Sequence, residues 1–482
     1  MKKIYLIFIV LIALSVSCTK NFEEMNTDKK HPVEVPGETL FSNAQVALAD
    51  QIASTNVNLN IWKLYSQYWT ETTYIDEANY DIVNRTIPDN TFRTYYRDIL
   101  VDFKEAARLI NAAPADGEAA VITKTNKLQI IELLNVYAYQ RLVDMFGNIP
   151  YSEALNVETN ITPAYDDAFG IYQDLISRID AALGSMDDTG DSFGDADLYY
   201  GGDVEAWAKF GNSLKLKIGI TLSDSDPGLA QTTVEAAAAG VFAESGDDCL
   251  LVYMGTTPNT NPLYEDLVLS GRKDFVPANT IVDIMNDLSD PRRDDYFEIN
   301  GLSEYTGGDY GYSNSYLNFS HISDKIQVAE FPCPLLTYTE IEFYLAEAAE
   351  RGFSVGGDAE SHYNAGVENS IIEWGGTTDD YSAYIGGVAY ASANWKELVG
   401  TQSWIASYTR GFVGWTNWRR LDFPELNIPE SPESDDEKVP KRFLYPVNEQ
   451  TLNAANYYSA AGAIEGGDMM SSKLFWDTQS ND

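Results

Sequence analysis

Apolar residues repeat at three- and four-residue intervals along most of this chain, and this helical spacing is the strongest constraint on its fold. Strand-like alternation of apolar and polar residues is scarce. The spacing predicts helices at 126–146, 167–183, 203–222, 339–351 and 359–374. Asp203 stands at the predicted start of one helix, where a carboxylate can accept hydrogen bonds from free backbone amides. The predicted fold class is therefore mostly α.

Four long segments rich in glycine, tyrosine, asparagine and serine interrupt or follow these helices, at 246–280, 298–338, 375–416 and 424–482. Irregular segments of this length are usually functional or disordered. Their many aromatic residues favour ordered contacts. Successive helix pairs indicate a helical repeat, although the sequence has no fixed 34-residue period.

Charge and cysteine content exclude several classes of function. The chain has 32 basic and 73 acidic residues, a formal net charge of −41, so nucleic acid and anionic membranes are poor partners. Three histidines lie far apart, and three cysteines are too few for a disulfide scaffold or a multi-thiolate zinc site. Cys249 and Cys333 are predicted to be buried thiols, and a disulfide between them is the alternative. The 31 tyrosines and 9 tryptophans are a first indication of ligand chemistry.

The first residues have the layout of a secretion signal. Lys2 and Lys3 precede an apolar run at 4–14. As a helix, this run would cover about half of a ~30 Å hydrocarbon core, which is typical of a signal peptide and too short for a membrane span. Small residues then lead to Cys18, an arrangement that resembles a bacterial lipoprotein signal. We predict a signal peptide at 1–17 and lipidation of Cys18; ordinary secretion with a spare thiol is the alternative.

Six short strings, in order along the chain, resemble the motifs of one protein family. They are FGNIPYSEA at 146–154, YGGD followed by W, F and NSLKLK at 200–217, DPRRDDYF at 290–297, LTYTEIEFYLAEAAER at 336–351, WRRLD at 418–422 and RFLYP at 442–446. Together they resemble the SusD/RagB family of outer-membrane nutrient-binding lipoproteins, and Glu449 also matches its pattern. None of the sugar-contact residues of the family's starch-binding archetype can be carried over to this sequence.

The resemblance implies a fold, a location and a partner. It implies a single SusD-like α domain over 41–482, in which about four tetratricopeptide-like helix pairs form a scaffold and a loop-rich, irregular half holds the ligand. The polar stretch 18–40 is predicted to be a lipidated tether. Family members face the cell exterior, capture oligosaccharides or in some cases peptides, and deliver them to a TonB-dependent, SusC-like β-barrel transporter. They are not enzymes.

The arginines within these motifs are predicted to be structural. Arg292, Arg419, Arg420 and Arg442 belong to a chain rich in acids, and bidentate pairing with carboxylates is favoured over ligand contact. The residues that carry the resemblance are therefore not expected to form the binding site.

The ligand-binding residues are predicted from the chemistry of sugars, whose apolar C–H faces stack on aromatic rings and whose hydroxyls need polar partners. Two segments supply that mixture. The first is 65–85, where the rings lie alongside Asp76, Glu77 and Arg85, and the second is 305–316. The predicted ligand-binding residues are Trp69, Tyr74, Tyr80, Tyr305, Tyr310, Tyr312 and Tyr316. The alternative is that these rings pack in the core or contact the barrel.

Other functions remain as alternatives. The second hypothesis is a helical-repeat lipoprotein that binds a polypeptide partner, or a peptide-binding importer subunit. The string GDSFG at 190–194 matches a nucleophile-elbow pattern but lies in an acidic loop, so we interpret it as a chance match. Asp187, Asp188, Asp191, Asp195 and Asp197 offer oxygen ligands for calcium, but their spacing is not that of a helix–loop–helix site. No cofactor is predicted.

Overall fold

The computed structural model describes residues 35–478. Cys18, the predicted signal peptide at 1–17 and most of the predicted tether lie outside the described residues. The helices are α1 Gly37–Ala53, α2 Trp62–Tyr65, α3 Ile87–Arg93, α4 Val101–Ala112, α5 Glu118–Phe146, α6 Ala168–Ser185, α7 Val204–Thr221, α8 Pro227–Ala237, α9 Pro262–Tyr264, α10 Asn279–Asp287, α11 Arg293–Tyr296, α12 Tyr338–Glu350, α13 Ala359–Glu373, α14 Thr378–Tyr384, α15 Trp395–Ala406, α16 Gly411–Leu421, α17 Glu449–Leu452 and α18 Ala454–Ala463. Across residues 35–478, none of these helices is both long and apolar enough to cross a membrane.

The strands are short and pair two by two. They are β1 Trp69–Glu71, β2 Ile149–Pro150, β3 Tyr165–Asp166, β4 Cys249–Leu251, β5 Phe275–Pro277, β6 Phe297–Glu298, β7 His321–Ile322 and β8 Cys333–Leu336. Antiparallel pairs form between β1 and β5, β2 and β3, β4 and β8, and β6 and β7. The mostly α class is confirmed.

Four helix pairs make the scaffold: α1 packs against α4, α5 against α6, α7 against α8, and α12 against α13. All five helices predicted from periodicity are present. Two of them begin at capping aspartates, since Asp167 accepts from the Gly170 amide (2.9 Å) and Asp203 from the Ala206 amide (3.0 Å). The tetratricopeptide-like scaffold is therefore confirmed.

Two apolar cores hold these helices together. The larger one runs through the scaffold and includes the buried rings of Trp62, Trp207 and Trp415. A smaller one lies between α12, α13, α14 and α15 and contains Tyr363 and Tyr384. Burial of these large side chains is the main source of stability, at about 25 cal/mol per Å² of apolar surface.

The prediction that 375–416 is irregular is wrong. This segment contains α14, α15 and the beginning of α16. Its glycines allow close packing: a Cβ at Gly414 would lie 2.0 Å from the Tyr68 hydroxyl oxygen, and one at Gly411 would lie 2.4 Å from the Trp62 carbonyl carbon. Glycine in this segment therefore permits close packing of helices and does not mark a loop. Helices α1 and α4 had no predicted counterpart, and α1 begins before residue 40, the predicted end of the tether.

The two cysteines of the described chain are buried free thiols, as predicted. Cys249 lies on β4 and Cys333 on the neighbouring β8, but they are not paired opposite each other. Burial raises the pKa of Cys249 well above its usual range and that of Cys333 to about 12. Both thiols are therefore held in the unreactive, protonated form.

Candidate functional site

Three separate segments of the chain meet at Thr72, immediately after β1. Its backbone amide donates to the carbonyl of Asp274 (2.8 Å), and its hydroxyl donates to the carbonyl of Lys273 (2.6 Å). Its own carbonyl accepts hydrogen bonds from the Asn314 amide (3.1 Å) and the Ser313 hydroxyl (3.0 Å). The end of β1, the segment before β5 and a tyrosine-rich loop are thereby joined at one residue.

The tyrosine loop, residues 309–316, is held in place by the buried side chain of Asn314. The Nδ2 atom donates to the carbonyls of Glu71 (3.1 Å), Asp309 (2.9 Å) and Tyr312 (2.6 Å). Asparagine is suited to this position because its amide group has two donor hydrogens that neighbouring carbonyls can share. One buried amide therefore fixes the loop to itself and to β1.

Three of the predicted tyrosines are exposed on these joined segments. Tyr74 is 68% exposed and Tyr312 is 44% exposed. Tyr316 is partly exposed, and its ring stacks on His321 with 3.7 Å between ring centroids. The Lys273 ammonium lies 4.7 Å from the Tyr316 ring. These three tyrosines and Lys273 are called the tyrosine surface below.

The backbone leading to this surface is strained. Four of the nine non-glycine residues with positive φ in the described chain fall within twenty positions, at Gln67 (55°), Tyr74 (59°), Tyr80 (69°) and Thr86 (52°). Such conformations persist only where surrounding contacts enforce them, and they cluster at ligand sites. The strain at Tyr74 is notable because that ring faces solvent and gains little from packing.

A polar pocket of about 250 Å³ opens beside Tyr74. It is lined by Thr55, Asn56, Val57, Asn58, Glu71, Thr73, Tyr74, Glu77, Arg85, Asp266, Ser270, Arg272, Asp274 and Phe275. The volume is below the range of drug-sized ligand pockets and suits one small polar unit. Amides, hydroxyls, carboxylates and guanidinium groups line it, together with the aromatic rings of Tyr74 and Phe275.

Two carboxyl groups lie together at this pocket. Glu77 is fully buried and forms an ion pair with Arg85. Glu71 is 3% exposed, and its Oε2 accepts a hydrogen bond from the Ala78 amide (3.0 Å). Burial, and then the neighbouring Glu77 carboxyl, raise the pKa of Glu71 well above its usual range. Burial likewise raises the pKa of Glu77, although Arg85 acts in the opposite direction. These shifts favour retention of a proton by the pair.

Comparison with known proteins gives the family. Residues 29–446 match the SusD-like_2 family model, described as "Starch-binding associating with outer membrane". The chain belongs to the SusD-like family. Among curated proteins, none matches this SusD-like chain.

Several known structures share the fold of this SusD-like chain. A chitin-binding protein is 25% identical with a TM-score of 0.80, and the match covers 92% of this chain and 100% of that one. A SusD homologue from Bacteroides uniformis is 24% identical, with a TM-score of 0.78 and coverage of 92% and 99%. A chitin-binding SusD homologue from Flavobacterium johnsoniae is 22% identical, with a TM-score of 0.77 and coverage of 92% and 98%. The last two similarities show the fold alone.

Three of the four SusD-like motif arginines form the predicted ion pairs. Arg292 pairs with Asp290 (2.5 Å), Arg420 with Glu347 (2.6 Å) and Arg442 with Asp468 (2.6 Å). All three guanidinium groups are buried and lie within the fold.

The prediction for the fourth arginine is corrected. Arg419 donates to the carbonyls of Asp144 (2.9 Å) and Lys441 (3.0 Å) and lies over the Trp415 ring at 3.4 Å. Its contacts are therefore carbonyls, the Thr416 hydroxyl (3.1 Å) and rings, where a carboxylate was expected. The role is still structural.

Three predicted ligand-binding residues are core residues, and that prediction is corrected. Trp69, Tyr80 and Tyr310 are 1%, 0% and 2% exposed. Trp69 donates to the Tyr408 hydroxyl (3.0 Å), and Tyr310 donates to the Leu64 carbonyl (2.8 Å). A sugar cannot stack on rings that are enclosed by protein, so these side chains support the site from below.

Tyr305 is half-buried. Its hydroxyl donates to Asp294 (2.7 Å), and the Arg293 guanidinium lies 5.8 Å from its ring. Burial, followed by the hydrogen bond to Asp294, raises its pKa to about 12. Its hydroxyl is already committed within the protein.

Sequence reasoning missed several polar residues of the pocket, namely Asn56, Asp266, Arg272 and Asp274. Asn56 follows α1, whereas Asp266, Arg272 and Asp274 come from the approach to β5, which is far from Tyr74 in sequence. The three-residue β1–β5 pair brings this approach beside Tyr74. A pair this short leaves no periodic signal that could have indicated it.

The acidic loop considered for calcium has structural roles. Asp187 accepts hydrogen bonds from the amide (3.0 Å) and hydroxyl (2.6 Å) of Thr189. Asp197 accepts from the Trp207 indole (2.6 Å) and the Gly202 amide (2.9 Å). Over residues 35–478, no group of three or more histidine, cysteine or acidic residues could hold a metal ion.

Proposed function

We propose that this protein is an outer-membrane lipoprotein that captures oligosaccharides on its tyrosine surface. The observation that carries the proposal is the exposure of Tyr74, Tyr312 and Tyr316 on segments fixed together at Thr72. Flat, fixed rings beside amide and charged groups match the alternating apolar and hydroxylated surface of a sugar. The family description and the chitin-binding relative at 25% identity support a glycan as the ligand.

We further propose that the captured glycan passes to a TonB-dependent, SusC-like barrel and is not cleaved. Family membership supports both points. A lipid anchor at Cys18 holds the protein at the outer membrane, facing the cell exterior. Transfer of a captured glycan to the barrel needs this location. Several acyl chains would hold the protein stably at the membrane.

The test is calorimetric titration with hexamers of α-1,4-glucose and β-1,4-N-acetylglucosamine. We expect saturable binding of at least one hexamer and no shortened products after long incubation. Tyr74→Ala and Tyr312→Ala should each weaken binding about tenfold, or about 1.4 kcal/mol, because each removes one stacking ring. Tyr458→Ala is the matched control, since Tyr458 is 65% exposed but lies on α18.

Several outcomes would contradict this proposal. If the protein binds neither hexamer and no member of a wider glycan panel, a glycan is not its ligand. If Tyr74→Ala and Tyr458→Ala change the affinity for the glycan equally, the tyrosine surface is not the binding site. Release of shorter sugars would show an enzyme.

One observation favours the second candidate, in which the scaffold binds a polypeptide. A groove of about 930 Å³ lies on the helices, and its lining includes Tyr139, Tyr151 and Arg178. The Arg178 guanidinium lies 5.7 Å from the Tyr139 ring and 5.5 Å from the Tyr151 ring. If the protein acts only through this groove, Arg178→Ala abolishes partner capture and Tyr74→Ala leaves glycan uptake unchanged.

A further inference from the structure

The loop that carries Tyr74, residues 73–78, is closed by the side chain of Glu71. Glu71 is the last residue of β1, and its Oε2 accepts a hydrogen bond from the Ala78 amide (3.0 Å), at the other end of the loop. Between these two residues, Tyr74 has a positive φ of 59°. Such a conformation persists only where surrounding contacts enforce it. The bond from Ala78 to Glu71 is therefore one of the contacts that fix the exposed Tyr74 ring. Residues 73–78 are called the Tyr74 loop below.

Two carboxyl groups and one guanidinium group meet where the Tyr74 loop closes. Glu71 and Glu77 are 3% and 0% exposed, and their carboxyl groups lie within hydrogen-bonding reach of each other. Arg85 forms an ion pair with Glu77, so its single positive charge balances one carboxylate. A second carboxylate, enclosed by protein beside the first, would be charged without a partner, which is costly. The pair therefore holds one proton, in agreement with the raised pKa of Glu71.

Over residues 35–478, the other charged groups that face the pair do not supply a second cation. Asp76, on the Tyr74 loop, adds negative charge. From the approach to β5, Asp266 and Asp274 line the same pocket, and Arg272 is already paired with Asp274. From the tyrosine loop, burial raises the pKa of Tyr310 well above its usual range, so its hydroxyl is neutral. The connection between α1 and α2 contributes only uncharged residues to the pocket. These surroundings oppose ionisation of both glutamates.

We propose that the proton held by Glu71 and Glu77 is a switch that keeps the Tyr74 loop closed for ligand binding and opens it when the proton passes to solvent. The inference rests on the proposed glycan-binding function and adds its regulation by pH. Because Glu77 directly precedes Ala78, repulsion between two carboxylates separates Ala78 from Glu71 and breaks the bond that closes the loop. Stability from this pair is fully present at low pH and is lost as pH rises through the raised carboxyl pKa.

The test is calorimetric titration with the hexamers of α-1,4-glucose and β-1,4-N-acetylglucosamine from about pH 5 to about pH 9. Both hexamers are uncharged, so only the protein titrates. The dissociation constant of the wild type should rise about tenfold over this range, which is the loss expected when the Tyr74 ring no longer stacks. Glu71→Gln keeps an oxygen acceptor for the Ala78 amide and cannot ionise, so its dissociation constant should stay at the low-pH value. Tyr74→Ala should bind weakly at every pH.

A second measurement needs no ligand. Hydrogen exchange of the peptide spanning residues 71–80 should become faster in the wild type than in Glu71→Gln as pH rises, because the loop opens only in the wild type. The two proteins are compared at the same pH, so the intrinsic effect of pH on exchange cancels.

Asp76→Asn is the matched control. Asp76 lies on the same loop, but its side chain is 59% exposed, so this variant should keep the pH dependence of the wild type. His321, which stacks on Tyr316, can also change its charge over this range. Because His321 is present in every variant, its effect is removed when Glu71→Gln is compared with the wild type. Thermal melting establishes that each variant is folded.

The outcomes distinguish this inference from the proposed function. If the affinity of the wild type and that of Glu71→Gln depend equally on pH, the switch is wrong while glycan binding stands. The same holds if exchange differs between them but affinity does not. If Asp76→Asn removes the pH dependence as fully as Glu71→Gln does, the buried pair is not its origin. If neither hexamer binds, the proposed function is wrong, and equal exchange in the wild type and Glu71→Gln would then also overturn the switch.

Discussion

Replacing Asn314 by alanine should detach the tyrosine loop from β1. The side chain donates three hydrogen bonds through Nδ2, to the carbonyls of Glu71, Asp309 and Tyr312. Each such bond contributes about 0.5–1.5 kcal/mol net, and water can replace part of it once the loop opens. We therefore expect the free energy of unfolding to fall by about 2 kcal/mol, measured by urea denaturation.

The same substitution should also weaken glycan binding. Tyr312 would no longer be held in one orientation, so ligand binding would have to order the loop again. We expect the dissociation constant measured by calorimetry to rise about tenfold, or about 1.4 kcal/mol. Asn314→Asp should be worse than alanine, because a carboxylate would face three carbonyl oxygens.

Asn318→Ala is the matched control for this prediction. Asn318 is exposed and lies two positions beyond the same loop, so it should change neither quantity. If Asn314→Ala has the same free energy of unfolding and the same dissociation constant as the wild type, other contacts hold the loop and the prediction is wrong. If stability falls but binding does not, Tyr312 is not a ligand contact.

Two further predictions concern the stability of the fold and its dependence on pH. Arg292→Met should lower the free energy of unfolding by about 3–5 kcal/mol in urea, because it leaves Asp290 buried without its partner; a loss below about 1 kcal/mol would refute this. At His362, burial lowers the pKa, but hydrogen bonds to Glu342 and to the Gly356 carbonyl raise it overall. Its stabilising effect should be fully present below the ordinary histidine pKa of about 6.5 and should be lost as pH rises through the raised value. Melting temperatures of wild type and His362→Gln should converge over that range, and a constant difference would contradict the assignment.

The sequence predicts the scaffold well because long helices leave a periodic record. The helix predicted at 126–146 exists within α5, and Asp167 and Asp203 cap helices. Periodicity reports which face of a helix is apolar, and burial follows from it. The mostly α class therefore needed no tertiary information.

The candidate site was predictable only in part. Tyr74 and Tyr312 are exposed as a ligand site requires, whereas Tyr80 and Tyr310 have similar sequence surroundings and are buried. In irregular segments, aromatic content does not distinguish a ring that packs from a ring that faces solvent. That distinction depends on long-range contacts such as the hydrogen bond from Tyr310 to Leu64.

The junction at Thr72 has a consequence for the thermodynamics of association. Segments separated by more than two hundred residues are tied there by hydrogen bonds, so they move as one platform. A ligand meets rings that are already oriented, and less configurational entropy is lost when it arrives. Capture of the proposed glycan should therefore be rapid and accompanied by little rearrangement.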